Sequence, residues 1–202
     1  MLKLDNITAA YNGSKVLHGV SLKAEKGKVT CLIGRNGVGK STTLKSIMGL
    51  VQTPSGDISI DNESIFKKPT YALGMEANKK ITKIPDHIFE TFPILKEFLD
   101  RKGGDLSGGQ QQQLAIARAV ISEPKILILD EPTEGIQPSI IQDIGRIITK
   151  LKENMAVLIV EQYLEFVLEI ADECYVMEKG KIVMSGETEC LDKKSLQSLL
   201  SL

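Results

Sequence analysis

A glycine-rich stretch between an apolar run and a helical pattern holds the residues best suited to chemistry. It covers residues 34–42 and follows the apolar run 29–33. Glycines let backbone N–H groups turn inward around an anion, and a helix start adds partial positive charge. In this pattern Lys40 would reach the β- and γ-phosphates, Ser41 would hold Mg²⁺ and Thr42 could add a donor. The stretch predicts a phosphate-binding loop, and the strand and helix around it argue against the alternative of a chance glycine turn.

Two acidic residues follow a second apolar run. Residues 126–129 are all Ile or Leu, as in a buried parallel strand, and Asp130 and Glu131 stand at the carboxyl end of this run. α/β sheets bind ligands at that edge. Asp130 would therefore hold Mg²⁺, and Glu131 would polarise an attacking water. Solvated acids at a strand end are the alternative, which the phosphate-binding loop upstream makes the weaker explanation.

A pair of adjacent glycines precedes a helical pattern at residues 106–110, Leu-Ser-Gly-Gly-Gln. Ser107 and Gln110 have the spacing of a capping box, and the same spacing recurs at Ser139 and Gln142 before the next helical stripe. Glycines at a helix start expose N–H groups to an anion, but taken alone the motif favours an ordinary helix cap.

The elements around these motifs predict an α/β core behind an antiparallel layer. Residues 2–10 and 16–22 form a predicted hairpin around Asn12-Gly13. Tyr11 stands at its turn, where packing on the sheet and stacking on a nucleotide base are equally open. From residue 126 onward apolar strands alternate with helical stripes, which indicates a parallel sheet. Residues 61–85 contain no good core strand.

Composition limits the classes of function. With 202 residues, 42% hydrophobic residues and a net charge of −1, the chain suits one globular domain without an electrostatic bias toward nucleic acid. Cys31, Cys174 and Cys190 lack metal-ligand spacing and suggest a reducing, cytosolic compartment. Cys31 and Cys174 stand in apolar runs, where we expect buried thiols. No signal peptide or run of about 18 apolar residues is present, so any membrane role would come through partners.

Three motifs in one order resemble the nucleotide-binding subunits of ABC transporters: GRNGVGKS, LSGGQ and ILILDEP. The resemblance covers nearly the whole chain, and LSGGQ is its specific element. It implies the P-loop NTPase fold of an ABC nucleotide-binding domain over residues 1–202, an α/β core with an antiparallel β layer and a small helical subdomain at about 76–122. It also implies ATP and Mg²⁺ as cofactors, with catalytic roles for Glu131, Lys40 and Gln162 and metal ligation by Ser41 and Asp130.

The same resemblance implies a dimer that holds two ATPs between its subunits. Ser107 and Gly109 would contact a nucleotide bound mainly by the partner, and Tyr11 matches the aromatic residue that stacks on adenine. Within one chain the phosphates would lie on Gly34, Asn36, Gly37, Gly39, Lys40, Ser41 and Thr42.

The implied assembly is a transporter. Its partners would be transmembrane permease subunits and, indirectly, a periplasmic or extracellular solute-binding protein. The chain would lie at the cytoplasmic face of the plasma membrane, and no nucleic-acid partner is expected.

A finer resemblance concerns the solute. Residues 131–139, Glu-Pro-Thr-Glu-Gly-Ile-Gln-Pro-Ser, with residues 32–37 and 159–162, look like the ATPases of branched-chain amino acid and urea uptake systems. The Gly-Ile-Gln-Pro-Ser portion looks most like the urea-type subunit. We therefore expect an ATPase that powers import of urea or a related small polar solute. The alternatives are a branched-chain amino acid importer ATPase and a shortened nucleotide-binding regulatory subunit with little turnover.

The chain departs from the family pattern at three points. Gln162 stands where most members have His, and Gln137 replaces a carboxylate. Both features resemble the amino acid and urea branch, in which two different ATPase subunits pair. They therefore predict a heterodimer with unequal sites. No Gln occurs between Gln52 and Gln110, although family members carry there a core strand ending in a Gln that contacts Mg²⁺ and the attacking water. Compared with the family pattern, the sequence lacks a strand and its loop near Ala72-Leu73, about two dozen residues.

Overall fold

The computed structural model describes residues 1–66 and 83–201 of the chain, and its strands form two sheets. The strands are β1 (Leu2–Tyr11), β2 (Ser14–Ala24), β3 (Val29–Ile33), β4 (Gln52–Ile60), β5 (Glu63–Ser64), β6 (Ile126–Asp130), β7 (Ala156–Glu161), β8 (Glu173–Glu178) and β9 (Lys181–Glu187).

The first sheet is the antiparallel layer that the sequence predicts. Its order is β2-β1-β4-β5. Asn12 (φ 48°) and Gly13 (φ 83°) turn β1 into β2 with positive φ at both positions, as a tight hairpin requires. The short strand β5 was not predicted, because two charged and polar residues give no strand signal.

The second sheet has the order β6-β7-β3-β8-β9. Its first four strands run parallel and β9 is antiparallel, so the predicted parallel core is confirmed. Cys31 of β3 and Cys174 of β8 are directly opposite each other and both are buried, as expected. Within the described ranges no strand pairs with the outer edge of β6. The strand predicted to be missing near Ala72-Leu73 falls in residues 67–82, outside the described part of the chain.

Helices cover both faces of the parallel sheet. They are α1 (Lys40–Ile47), α2 (Asp86–Thr91), α3 (Pro93–Lys96), α4 (Gly108–Val120), α5 (Pro138–Leu151), α6 (Leu164–Ile170) and α7 (Lys193–Ser201), with 3₁₀ turns at Gly103–Asp105 and Thr188–Cys190. Alternate residues of β3 enter different cores: Leu32 packs toward the antiparallel sheet, while Cys31 and Ile33 pack toward α4, α5 and α6. The parallel sheet is therefore the middle layer, and the carboxyl ends of its strands meet at one edge.

The two predicted capping boxes have different outcomes. At α4 the backbone N–H of Ser107 donates to Gln110 Oε1 (2.9 Å) and the N–H of Gln110 donates to Ser107 Oγ (3.4 Å), so this box is confirmed. The box at Ser139 and Gln142 is wrong, because α5 begins one residue earlier at Pro138 and its cap residue has no side-chain cap bond. Proline has no N–H to be capped and its fixed φ suits the first helical position.

Residues 86–96 form two short helices, α2 and α3, with a break between them. Phe92 (φ −125°, ψ 67°) leaves the helical conformation before Pro93, which starts α3. The residue before a proline is pushed out of the α region by steric contact, which explains the break. In the part of the chain that the structure describes, we find no helix with the length and apolar character needed to cross a bilayer.

Candidate functional site

The phosphate-binding loop joins β3 to α1 at the carboxyl edge of the parallel sheet. Gly37 (φ 80°) and Gly39 (φ 117°) adopt backbone conformations that other residues rarely reach. A Cβ atom at Gly39 would also lie 2.8 Å from Leu17 Cδ2 on the β1–β2 hairpin. The loop can therefore curl under that hairpin only with glycine at these positions.

Lys40 is the charged centre of the loop. Its Nζ donates to the carbonyl oxygens of Gly34 (2.8 Å) and Arg35 (3.1 Å) and lies 3.2 Å from Glu131 Oε1. The Lys40 side chain is 4% exposed and that of Glu131 is 19% exposed. Charges interact more strongly when shielded from water, so a phosphate oxygen placed here would compete with Glu131 for the ammonium. The structure thus unites two of the three predicted catalytic residues.

Ser41 and Asp130, the predicted metal ligands, lie next to each other. Burial raises the pKa of the Asp130 carboxyl, the charge of Glu131 raises it further, and the Ser41 hydroxyl opposes both. A hydroxyl and a carboxylate beside a phosphate cradle suit Mg²⁺, which takes few protein ligands together with phosphate oxygens. A Mg²⁺ ion bound here would need the ionised carboxylate. Because the pKa of Asp130 is raised, lowering the pH would weaken such binding at a higher pH than it would at an ordinary Asp. In residues 1–66 and 83–201, no group of three or more His, Cys, Asp or Glu is placed to hold a metal ion by itself.

Glu131 occupies a left-handed backbone conformation with φ 46°. Such a conformation costs a non-glycine residue about 1–2 kcal/mol, so neighbouring bonds must hold it. One of them is the N–H of Glu131, which donates to the carbonyl oxygen of Val160 at 2.9 Å. The turn directs the Glu131 carboxylate toward Lys40.

Gln162 follows the end of β7 and is exposed. It lines a cavity of about 520 Å³ together with Arg35 and Asn36 of the phosphate-binding loop and Leu199 of α7. The structure therefore brings the predicted residues Asn36 and Gln162 to one cavity. Thr42 is half-buried in α1.

Tyr11 lies at the end of the β1–β2 hairpin and is 41% exposed. The hairpin approaches the phosphate-binding loop through Leu17, which faces Gly39. Stacking of Tyr11 on adenine stays a prediction, and the exposed ring at this position is compatible with it.

Ser107 and Gly109 lie on a different element, at the start of α4. Ser107 is exposed, whereas Gly109 is buried. Among the described residues, no hydrogen bond or ion pair joins either one to the phosphate-binding loop. A Cβ atom at Gly109 would lie 2.5 Å from Cγ2 of Ile140 on α5, a packing contact that the sequence analysis missed. Gly109 therefore has a structural role in addition to the predicted contact with a partner's nucleotide.

Substituting Gly109 by Ala should destabilise the fold by about 1–3 kcal/mol, because the added methyl would force α4 away from Ile140. The matched control is Gly108→Ala, since a Cβ at Gly108 meets nothing within 4 Å. We expect this control to change stability by less than about 0.5 kcal/mol. Urea unfolding of both variants gives the measurement, and equal midpoints would contradict the packing contact.

Glu161 is a further residue that sequence reasoning did not select. It ends β7, is 1% exposed, and accepts hydrogen bonds from Thr133, Gln162 and Tyr163. Its position after the apolar run 156–160, at the same sheet edge as Asp130, was the available signal.

An antiparallel layer, a phosphate-binding loop between β3 and α1, and paired acids after β6 together define an ATP-binding domain of the ABC transporter class. The comparisons agree: the family model described as "ABC transporter" matches residues 17–92 and 72–134, so the chain belongs to the ABC transporter family. It is an ABC ATPase, the ATP-hydrolysing transport subunit that works with transmembrane permease subunits.

Named relatives and a solved structure are similar over most of their lengths. The chain is 37% identical to the Pseudomonas aeruginosa "High-affinity branched-chain amino acid transport ATP-binding protein BraG", covering 91% of each chain. It is 32% identical to the Archaeoglobus fulgidus "Probable branched-chain amino acid transport ATP-binding protein LivF", covering 98% of each. An ATP-binding cassette of an ABC transporter, solved in its ADP conformation, superposes with a TM-score of 0.78 at 30% identity, covering 100% of this chain and 94% of the other.

The alignment lengths bear on the predicted lack of a strand and its loop. The alignment with BraG runs over 216 positions, whereas 91% of this 202-residue chain is about 184 residues, which leaves about 32 positions opposite gaps in this chain. The two family-model matches overlap at residues 72–92. BraG is therefore longer than this chain over the aligned region. The absence of a strand and its loop near Ala72-Leu73 stays a prediction.

Proposed function

We propose that this chain is an ATPase subunit that powers import of branched-chain amino acids. The observation that carries the proposal is its similarity to BraG and LivF over nearly the full length of each protein. The expectation of urea as the solute depended on residues 135–139 alone, and neither relative is described as a urea transport protein. Branched-chain amino acids, the alternative solute from the sequence, are therefore better supported than urea.

The proposed chemistry uses the grouped residues of the sheet edge. Lys40 binds the phosphates, and the Glu131 carboxylate orients the attacking water and accepts its proton. Ser41 and Asp130 would hold Mg²⁺. Mg²⁺, when bound, would neutralise charge on the phosphates. Gln162 donates a hydrogen bond to the γ-phosphate but carries no charge, unlike a protonated His. Tyr11 stacks on adenine, and the backbone N–H groups of the loop surround the phosphates.

The proposed assembly contains two different ATPase subunits. In this proposal the chain is a single ABC ATPase domain over residues 1–202. Its predicted helical subdomain is at about 76–122, of which residues 76–82 lie outside the described part of the chain. Ser107 and Gly109 face the nucleotide of the partner subunit, at a helix start whose free N–H groups suit a phosphate. The pair sits on permease subunits at the cytoplasmic face of the membrane and receives solute from a binding protein on the other side.

The test is ATP hydrolysis by the reconstituted transporter. The chain, its partner ATPase and the permease subunits are placed in vesicles, and solute-binding protein is added with leucine, with urea or empty. We expect leucine-loaded binding protein to raise turnover several-fold above the empty protein, and urea to have no effect. Stimulation by urea alone would overturn the proposed solute.

A shortened subunit that binds ATP with little turnover is the second candidate, favoured by the absence of Gln between positions 52 and 110. It predicts that the subunit binds nucleotide, and that the transporter hydrolyses ATP no faster than one carrying Glu131→Gln in this subunit.

A further inference from the structure

We propose that Glu161 is a positioning residue that fastens the turn carrying Glu131 to the loop carrying Gln162. Each oxygen of its carboxylate accepts hydrogen bonds from one of the two segments. Oε1 accepts hydrogen bonds from Thr133, two residues after Glu131, and Oε2 accepts them from the backbone at Gln162 and Tyr163.

The first segment is the strained turn after β6. Its start is held by the N–H of Glu131, which donates to the carbonyl oxygen of Val160 at 2.9 Å. Its end is held by Thr133, whose N–H (3.2 Å) and Oγ1 (2.6 Å) both donate to Glu161 Oε1. Two consecutive residues of β7, Val160 and Glu161, therefore fix both ends of the turn. The direction of the Glu131 carboxylate depends on this turn, because its φ of 46° is not a conformation that Glu adopts unaided.

The second segment connects β7 to α6. Glu161 Oε2 accepts the N–H groups of Gln162 (2.8 Å) and Tyr163 (3.1 Å). Tyr163 is the cap residue of α6 and makes no side-chain cap bond of its own. The carboxylate thus orders the backbone from which the Gln162 side chain extends toward the cavity it shares with Asn36.

Burial and chemistry make the carboxylate hard to replace. Glu161 is 1% exposed and Thr133 is 7% exposed, so water cannot replace the two bonds between them. An ionised carboxylate is an acceptor at both oxygens, which matches four donors. Glutamine has nearly the same shape, but in either orientation its NH₂ group would face N–H groups of one segment. The two segments should then lose their fixed relation while the phosphate-binding loop, which is not hydrogen-bonded to Glu161, is kept.

The experiment compares Glu161→Gln and Thr133→Val with the conservative control Thr133→Ser, which keeps the hydroxyl. In the reconstituted transporter we expect the first two to lower kcat about 10-fold or more, since small misplacements of reacting groups cost that much. The Kd for Mg-ADP should change less than about threefold. In the double variant, Glu161→Gln with Thr133→Val, kcat should fall by no more than about the larger of the two single decreases, because both changes break the same link. Thr133→Ser should keep at least half of the activity.

A second readout does not need turnover, which separates this inference from the proposed function on which the kcat effect rests. Amide hydrogen exchange at Gln162 and Tyr163 should be about 10-fold faster in Glu161→Gln, because both N–H groups lose their acceptor. Unchanged exchange at these amides, or kcat values equal to the unmodified protein in both variants, would overturn the proposal. An equal loss of Mg-ADP binding and kcat would also overturn it, since that result indicates general disruption of the site.

Discussion

Replacing Glu131 by Gln should lower kcat for ATP hydrolysis at least about 100-fold, because a general base contributes that much or more and an amide cannot accept the proton of water. ATP binding should be kept or become tighter. The reason is the short Lys40 to Glu131 ion pair, with Nζ 3.2 Å from Oε1: without the carboxylate, the ammonium has no anionic competitor to the phosphates. Steady-state hydrolysis and equilibrium binding of Mg-ATP measure the two effects separately.

The matched control is Glu134→Gln, an exposed acid in the same run of sequence. Its kcat should stay within about twofold of the unmodified protein, since surface substitutions away from a site have small effects. Turnover of Glu131→Gln within about threefold of normal would show that the water is activated by another group.

Replacing Lys40 by Ala should weaken ATP binding at least about 100-fold, because truncating one partner of a desolvated charge pair costs several kcal/mol. Two effects combine. The phosphates lose their cation, and the Glu131 carboxylate, which is 19% exposed, remains nearby without a counter-charge and repels them. Titration of a fluorescent nucleotide gives the measurement, and Lys150→Ala, an exposed lysine of α5, is the control expected to bind normally.

Combining the two changes tests the ion pair itself. In Lys40→Ala with Glu131→Gln the repulsion is removed, so nucleotide affinity should recover part of the loss seen in Lys40→Ala. Strict additivity of the two binding free energies would contradict a direct interaction between the side chains.

Local patterns predicted the parts of the site that depend on local geometry. The loop of residues 34–42 and the acids after β6 were predictable because strand, turn and helix starts each require certain residue types within a few positions. The hairpin at Asn12-Gly13 and the cap at Ser107 are further examples, since a turn or a cap is completed by residues next to it in sequence.

The same local reasoning was wrong at Ser139, where an identical Ser-x-x-Gln spacing is not used. Because Pro138 begins α5 one residue earlier, Ser139 lies inside the helix and is not its cap residue. Residues 135–139 gave the expectation of urea, and the proposal of branched-chain amino acids depends instead on similarity over nearly the whole chain.

Only the tertiary structure decided which distant residues meet. The strand order β6-β7-β3 places Glu131 beside Lys40 and places the buried carboxylate of Glu161 between Thr133 and Gln162. Helix packing decided that Gly109 faces Ile140. The sequence alone determined the kind of chemistry, because residue type and local spacing carry it. The pairing of side chains came from the order of strands and the approach of helices, which depend on the whole core rather than on any one segment.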